Sequence, residues 1–254
     1  PRGIILVIDD KVPEYDKHAG AVTLFQYLRL MRELGLRVIY APQYGKPLEP
    51  YTSALQQLGI EVLHAPDRRD RWLRAYGLYV DFIWTARPDV TFPILSQLRR
   101  HTGAPILYYT HDLHYLREMR RYELEGSIWA LQESQRLKPM ELKIFDVVDH
   151  VLTPSKEEKR DILHEVPHAN VTVVPPYLFG DTDLTDAPAD FGSRTDLIFV
   201  GGFDHTPNGD APVWLRQGNM LSVWAKHPDS PRSDARRVGQ ERLSRWSPLL
   251  LKKI

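Results

Sequence analysis

Short, continuous apolar runs alternate with segments of helical periodicity over the first two thirds of the chain. Continuous runs are typical of strands covered on both faces, whereas apolar residues spaced three and four apart predict helices. The runs predict strands at residues 4–8, 36–40, 60–63, 79–84, 104–109, 147–152 and 171–174. The periodic segments predict helices at residues 20–34, 51–58, 92–100 and 156–163, and a long, charged, broken helical region at 113–145 in which Pro139 marks a helix start or kink.

Strands that alternate with helices predict an α/β fold in which a parallel sheet has helices on both faces. Such sheets bind ligands beyond the carboxyl ends of their strands. The first predicted strand is followed by Asp9, Asp10 and a polar loop that runs to Gly20. The fifth is followed by a Thr-His-Asp sequence that includes His111. We therefore expect a functional site at these two loops.

The pattern changes after the seventh predicted strand. Asp, Thr, Pro and Gly dominate without periodicity, which indicates an interdomain linker, and a new apolar run then precedes Gly201-Gly202 and a helical stretch. The end of the chain has eight Lys or Arg against three Asp or Glu and predicts no buried strand. The predicted organisation is a first domain at residues 1–177, a linker at 178–196, the start of a second domain at 197–225, and an irregular, disordered or out-of-frame tail at 226–254.

Composition narrows the possible chemistry without identifying it. Hydrophobic residues make up 43% of the chain and charged residues 26%, which is ordinary for a folded domain. The formal net charge is zero, so no overall field would draw the chain to nucleic acid or to an anionic membrane. Because the chain has no cysteine, disulfides, thiolate nucleophiles and cysteine-ligated metals are excluded.

Five short segments occur in an order and spacing that resemble one enzyme family. They are Ile-Ile-Leu-Val-Ile-Asp-Asp and a later His-Ala-Gly within residues 4–20, Tyr-Tyr-Thr-His-Asp-Leu-His-Tyr-Leu-Arg at 108–117, Val-Leu-Thr-Pro-Ser at 151–155, Val-Thr-Val-Val-Pro at 171–175, and Phe-Val-Gly-Gly-Phe-Asp-His-Thr-Pro-Asn-Gly-Asp-Ala at 199–211. Together they resemble the family-4, group-1 glycosyltransferases of the GT-B fold. The resemblance implies a Rossmann-like acceptor-side domain followed by an incomplete second Rossmann-like domain that binds the donor.

The function implied by the resemblance is transfer of a sugar from a nucleotide-sugar donor to a glycan or lipid-linked acceptor in polysaccharide biosynthesis. The family works with retention of configuration and without a bound metal. No cofactor is implied, because the nucleotide sugar is a substrate. The resemblance places the protein in the cytoplasm, with at most peripheral contact with the inner membrane face, and no nucleic-acid partner is expected.

The resemblance also assigns roles to individual residues. His111 is implied as the catalytic residue, in contact with the donor sugar. A glycine at a helix start lets backbone N–H groups approach the phosphate on which charge develops. Two alternatives stay open, since Gly20 could instead allow close packing of a helix on a strand, and His111 could be a hydrogen-bonded structural histidine. The implied substrate-binding residues are Gly20, Ala21, Asp112, Gly201, Gly202 and Asn208.

The donor half of the sequence departs from the family pattern. The family's Glu–seven residues–Glu motif has no match after the linker, because the pairs that begin at Glu125, Glu133 and Glu157 all precede it. We therefore expect a truncated chain that is inactive on its own. The alternatives are a catalytically dead GT-B fragment that serves as a binding module, and a GT-B epimerase that acts on nucleotide sugars.

Overall fold

The structure is a computed structural model that describes residues 2–178, 199–200, 211–226, 236–237 and 250–252. The chain divides into two compact units, Pro1–Leu178 and Phe179–Ile254. The first unit contains every sequence-predicted site residue that lies within the described ranges. The domain and linker limits given above stay predictions.

A seven-stranded parallel sheet forms the centre of the first unit. Its order is β3-β2-β1-β4-β5-β6-β7, so the chain reverses its direction of winding between β1 and β4. Ligands bind such doubly wound sheets at this reversal, beyond the carboxyl ends of the strands. The strands are β1 Gly3–Asp9, β2 Leu36–Pro42, β3 Glu61–Val62, β4 Phe82–Ala86, β5 Ile106–Tyr109, β6 His150–Thr153 and β7 Val171–Val173.

Helices cover both faces of this sheet, which confirms the predicted α/β, Rossmann-like fold. One face packs against α1 and α2, and the opposite face packs against α3 to α8. The helices are α1 Ala19–Glu33, α2 Tyr51–Gln57, α3 Pro66–Tyr76, α4 Pro88–Thr91, α5 Leu95–His101, α6 His114–Glu125, α7 Ile128–Val147 and α8 Lys156–Glu165.

The central strand β1 shows why its sequence is a continuous apolar run. Ile5 and Val7 belong to the core beneath α1 and α2, whereas Leu6 and Ile8 belong to the core on the other face. All four side chains are buried, and each contributes about 1.5–3 kcal/mol of hydrophobic stabilisation. The run ends at Asp9, whose buried carboxylate begins the functional edge of the sheet.

Several predicted helix ends are confirmed by backbone geometry. Gly35 follows α1 at φ +83°, and Gly59 follows α2 at φ +72°, a region that strongly favours glycine. The Ser155 hydroxyl accepts a hydrogen bond of 3.0 Å from the Glu158 N–H and caps α8. At the start of α1 the cap is His18, so the helix begins at Ala19, one residue before the predicted start.

Two helical predictions need correction, and one helix was not predicted. Pro139 lies inside α7 and neither starts nor breaks it, because Leu137, Ile144 and Phe145 anchor the helix in the core and offset the missing hydrogen bond. The segment predicted as one helix at 92–100 begins with a 3₁₀ turn, and α5 starts only at Leu95. Helix α3 was not predicted, because its charged sequence buries few apolar side chains.

The described part of the second unit contains short elements only. Strand β10 (Leu250–Lys252) pairs antiparallel with β8 (Phe199–Val200) and with β9 (Arg236–Arg237). Residues 211–226 are helical and end with α9, Met220–Lys226. The sequence predicted no buried strand after Trp224, and the structure places two short strands there, β9 and β10. Whether a second Rossmann-like domain begins in this unit stays a prediction.

Candidate functional site

Three charged or polar side chains meet where the sheet reverses its winding. Asp9 is the last residue of β1, Arg87 follows β4 directly, and His111 follows β5 by two residues. Because β1, β4 and β5 are parallel neighbours, their carboxyl ends bring these residues to one edge. The site predicted from the two loops is therefore assembled around Asp9 and His111, together with an arginine that the sequence analysis did not select.

Asp9 is the buried centre of the cluster, and its side chain is 1% exposed. Its Oδ1 accepts hydrogen bonds from Arg87 Nε and from the Asp10 N–H, both at 2.7 Å. Its Oδ2 lies 3.6 Å from Nε2 of His111. Arg87 Nε also lies 3.3 Å from the Asp10 carboxylate, so one guanidinium faces two carboxylates.

Burial and neighbouring charges affect the two carboxyls in opposite directions. Burial alone would raise the pKa of Asp9, but His111 and Arg87 outweigh it and hold this pKa well below its usual range. Burial raises the pKa of Asp10, and the negative charge of Asp9 raises it further. The folded environment therefore favours the charged form of Asp9, which solvent does not reach, and disfavours the charged form of Asp10.

His111 is fixed in orientation by its backbone and by the ring of Tyr109. Its φ is +55°, and Arg87 at the end of the neighbouring strand has φ +65°. Non-glycine residues in this region carry backbone strain, and such strain is common at functional sites. The imidazole stands edge-on to the Tyr109 ring with centroids 4.8 Å apart, and 15% of its side chain is exposed.

Gly20 faces this cluster from the first turn of α1. A Cβ atom at Gly20 would lie 3.7 Å from His111 Nδ1 and 3.8 Å from Arg87 Nη2, which are ordinary contact distances. The nearest atoms are these two side chains, and φ at Gly20 is not positive, so neither backbone conformation nor helix–strand packing requires a glycine here. The missing side chain instead leaves space beside His111 and Arg87, which we call the Gly20 space.

Ala21, the next predicted substrate-binding residue, has its N–H engaged within the helix cap. This N–H donates to the His18 carbonyl oxygen at 3.1 Å and to His18 Nδ1 at 3.2 Å. The Ala21 side chain is buried in the core. Burial lowers the pKa of His18, and the charges of Lys11 and Arg87 lower it further, consistent with a neutral ring that accepts this hydrogen bond.

Asp112 belongs to a second cluster, at the start of α6. Its carboxylate binds Arg117 Nη1 through both oxygens at 3.1 and 2.9 Å, and lies 3.2 Å from His114 Nδ1. Glu141, fully buried on α7, accepts hydrogen bonds from the N–H groups of His114 at 3.2 Å and Tyr115 at 2.7 Å. Glu141 thus caps α6 from another helix, and the cluster holds the α6–α7 pair together.

The remaining predicted substrate-binding residues, Gly201, Gly202 and Asn208, lie outside the described residues. Sequence reasoning missed Arg87 and the role of Asp9 as its partner. A signal was present in the Ala-Arg-Pro sequence, because a basic residue directly after an apolar strand lies at the carboxyl edge of the sheet. Within the described ranges, no group of three or more His, Asp or Glu side chains is placed to hold a metal ion.

Comparisons with known proteins give a distant likeness. No protein family and no curated protein matches the sequence significantly. Among solved structures, the chain is similar to UGT71G1 from Medicago truncatula complexed with UDP-glucose, at 11% identity and a TM-score of 0.39. The match covers 74% of this chain and 54% of the plant protein, so the chain spans about half the length of that structure. A likeness this distant carries no argument about substrate or mechanism.

No helix in the described ranges is long and apolar enough to cross a membrane.

Proposed function

We propose that this chain is part of a GT-B glycosyltransferase and that the Gly20 space receives a sugar. The donor is a nucleotide sugar and the acceptor is a glycan or a lipid-linked glycan. The reaction retains configuration and uses neither a metal nor a cofactor, as the resemblance to family-4 enzymes implies. His111 is the residue in contact with the sugar.

The observation that supports this proposal is the Gly20 space itself. It lies at the reversal point of a doubly wound sheet, where ligands bind in this architecture. His111 and Arg87 border it, and no steric need of the fold explains the glycine. The alternative in which Gly20 only permits close packing is therefore less well supported than a ligand-facing role.

The charge of the cluster favours the sugar over the phosphate at this position. Two carboxylates, Asp9 and Asp10, face the single guanidinium of Arg87. The carboxyls of Asp9 and Asp10 outnumber the guanidinium of Arg87, so the three side chains offer a diphosphate no excess of positive charge. Sugar hydroxyls both donate and accept hydrogen bonds, so they suit a mixed set of acceptors and donors. The role of Gly201 and Gly202 in phosphate binding stays a prediction from the resemblance.

The test is a ligand titration of the isotope-labelled chain, followed by amide chemical shifts. UDP-glucose is the first probe, followed by GDP- and ADP-sugars, with free UDP and glucose as partial ligands. We expect the sugar-containing ligands to shift the amides of Gly20 and His111. The Gly20→Ala variant should lose these shifts because its methyl group fills the space, while the fold stays intact because the added Cβ makes only ordinary contacts.

A matched control is Gly103→Ala, which adds the same methyl group in open space ahead of β5. This variant should behave as the wild type does in the titration. If none of the nucleotide sugars shifts the amides at this edge, the proposed function is wrong. Equal shifts in the wild type and in Gly20→Ala would show that the sugar does not bind in the Gly20 space.

A further inference from the structure

The two oxygens of the Asp9 carboxylate have different partners. Oδ1 accepts two hydrogen bonds, from Arg87 Nε and from the Asp10 N–H. Oδ2 points instead to His111 Nε2 at 3.6 Å, slightly beyond hydrogen-bond distance. Hydrogen bonds of catalytic groups are often long in free enzymes and tighten when substrate binds. The carboxylate is thus fixed through one oxygen and presents the other to the imidazole.

The opposite edge of the same imidazole faces the Gly20 space. Nδ1 is the ring atom nearest to the Cβ position of Gly20, at 3.7 Å, and Cε1 follows at 3.8 Å. One ring nitrogen is therefore directed at a buried carboxylate, and the other at the space where we place the sugar. Tyr109 makes a T-shaped contact with the same ring, and Gly20 in the first turn of α1 lies beside it.

We propose that Asp9 is a positioning residue that holds His111 as the Nε2–H tautomer, so that Nδ1 accepts a hydrogen bond from a sugar hydroxyl. An ionised carboxylate can only accept, so the nitrogen that faces it must carry the proton. A neutral imidazole has a single N–H, which leaves the other nitrogen as an acceptor. The choice of a hydroxyl as ligand rests on the proposed function, whereas the tautomer does not.

Two neighbouring histidines provide internal standards for the tautomer. His114 Nδ1 lies 3.2 Å from the carbonyl oxygen of Asp112, which can only accept, so His114 must be the Nδ1–H tautomer. His18 Nδ1 accepts a hydrogen bond from the Ala21 N–H, so a neutral His18 must be the Nε2–H tautomer. His111 should therefore resemble His18 and differ from His114.

Substitution of Asp9 by asparagine should reverse the tautomer of His111. The side-chain oxygen of the asparagine will take the Oδ1 position, because two donors, Arg87 Nε and the Asp10 N–H, already point there. The NH₂ group then occupies the Oδ2 position and donates to His111 Nε2, which forces the proton to Nδ1. Asp10→Asn is the matched control, because Asp10 shares Arg87 but has no ion-pair contact with His111.

The experiment measures the ¹⁵N shifts of the imidazole nitrogens in the full chain at alkaline pH, where imidazoles are neutral. The His111 signals are assigned by their loss in His111→Gln. We expect the Nε2–H tautomer in the wild type and in Asp10→Asn, and the Nδ1–H tautomer in Asp9→Asn. His18 and His114 should keep their patterns in every variant, which also reports that the fold is intact.

An Nδ1–H tautomer for His111 in the wild type would overturn the proposal, and this result does not depend on whether any variant folds. An unchanged Nε2–H tautomer of His111 in a folded Asp9→Asn variant would also overturn the proposal. Because no nucleotide sugar is used, a failure of the proposed function leaves this result unaffected. The hydroxyl contact is then tested by adding UDP-glucose, which should move the Nδ1 signal in the wild type and not in Asp9→Asn.

Discussion

Two clusters of histidine, carboxylate and arginine side chains lie at the same edge of the sheet, and they use their hydrogen bonds differently. In the cluster around His114, the Glu141 carboxylate accepts from two backbone N–H groups, and the Asp112 carboxylate binds the Arg117 side chain. In the cluster around Asp9, one carboxylate oxygen faces an imidazole whose other edge lies beside Gly20. The residue types are alike, but in the Asp9 cluster the imidazole has one nitrogen beside a carboxylate and the other beside Gly20.

This difference separates a structural site from a candidate functional one more clearly than residue type does. Glu141 is as deeply buried as Asp9, and His114 is about as buried as His111. A carboxylate that caps a helix stabilises the fold when it is ionised and does not need a ligand. Substitutions in the His114 cluster should therefore mainly lower stability, whereas substitutions in the Asp9 cluster should mainly affect ligand contact.

The largest effect on stability is expected from Glu141→Ala. The change removes the acceptor of two buried N–H groups, those of His114 and Tyr115. Each unsatisfied buried N–H costs about 1–3 kcal/mol, so we expect the free energy of unfolding to fall by about 3 kcal/mol. Urea unfolding followed by circular dichroism measures this loss.

Glu141→Gln provides the control, because its amide oxygen can still accept one of the two hydrogen bonds. It should lose less stability than the alanine variant. The tautomer of His111 should be unchanged in both variants as long as they fold. A Glu141→Ala variant within about 0.5 kcal/mol of the wild type would contradict the helix-capping role.

The next effect is the pH-dependent loss of stability in Asp9→Asn. The pKa of Asp9 is lowered in the folded state, so its ionisation stabilises the fold above the unfolded-state pKa of about 4. This contribution is lost as the pH falls through the folded-state pKa. We expect Asp9→Asn to be less stable than the wild type by about 2 kcal/mol at neutral pH, with a difference that shrinks below about pH 4.

In Asp10→Asn we expect the opposite change in the pH dependence of stability. The pKa of Asp10 is raised by burial and by Asp9, so the folded state disfavours its charge and loses stability as the pH rises through that pKa. Removing the charge should leave stability at neutral pH unchanged or slightly higher. Unfolding curves of both variants at acidic and neutral pH test the contrast, and equal losses in the two would contradict it.

The fold was largely predictable because buried strands and amphipathic helices leave periodic signals. The apolar run at residues 4–8 became β1, and the helix stops at Gly35 and Gly59 are confirmed by their positive φ angles. Helix α3 was missed because its sequence is dominated by charged residues and buries little apolar surface apart from Leu73. The predicted helix start at Pro139 was wrong because the packing of α7 is a tertiary effect that local propensity does not contain, and a kink there stays a prediction.

The site was only partly predictable, for a different reason. The carboxyl-end rule selects Asp9 and His111 from sequence alone, since it depends only on where strands end. It does not show that Arg87 Nε and His111 Nε2 approach different oxygens of Asp9, because that depends on side-chain geometry. Nor does it show that Asp112 binds Arg117, since a polar residue after a strand can serve a helix as well as a ligand.

The smallest loss of stability is expected from Asp112→Asn. Asp112 and Arg117 form a two-contact ion pair, but each side chain is more than 40% exposed, and such pairs contribute about 0.5 kcal/mol. We therefore expect a loss below about 1 kcal/mol that disappears in high salt, where exposed charges are screened. Urea unfolding at low and high ionic strength measures it, and a salt-independent loss of several kcal/mol would contradict it.

The same variant tests whether the two clusters are independent. Because Asp112 is held by Arg117 and His114, the comparison predicts that UDP-glucose still shifts the Gly20 amide in Asp112→Asn. The resemblance instead implies that Asp112 binds substrate, and in that case the shift would weaken although the fold is almost as stable as before. Arg117→Gln breaks the same ion pair and leaves the Asp112 carboxylate in place. A weaker shift in Asp112→Asn alone would therefore assign that carboxylate to the ligand, and the two clusters would form one site.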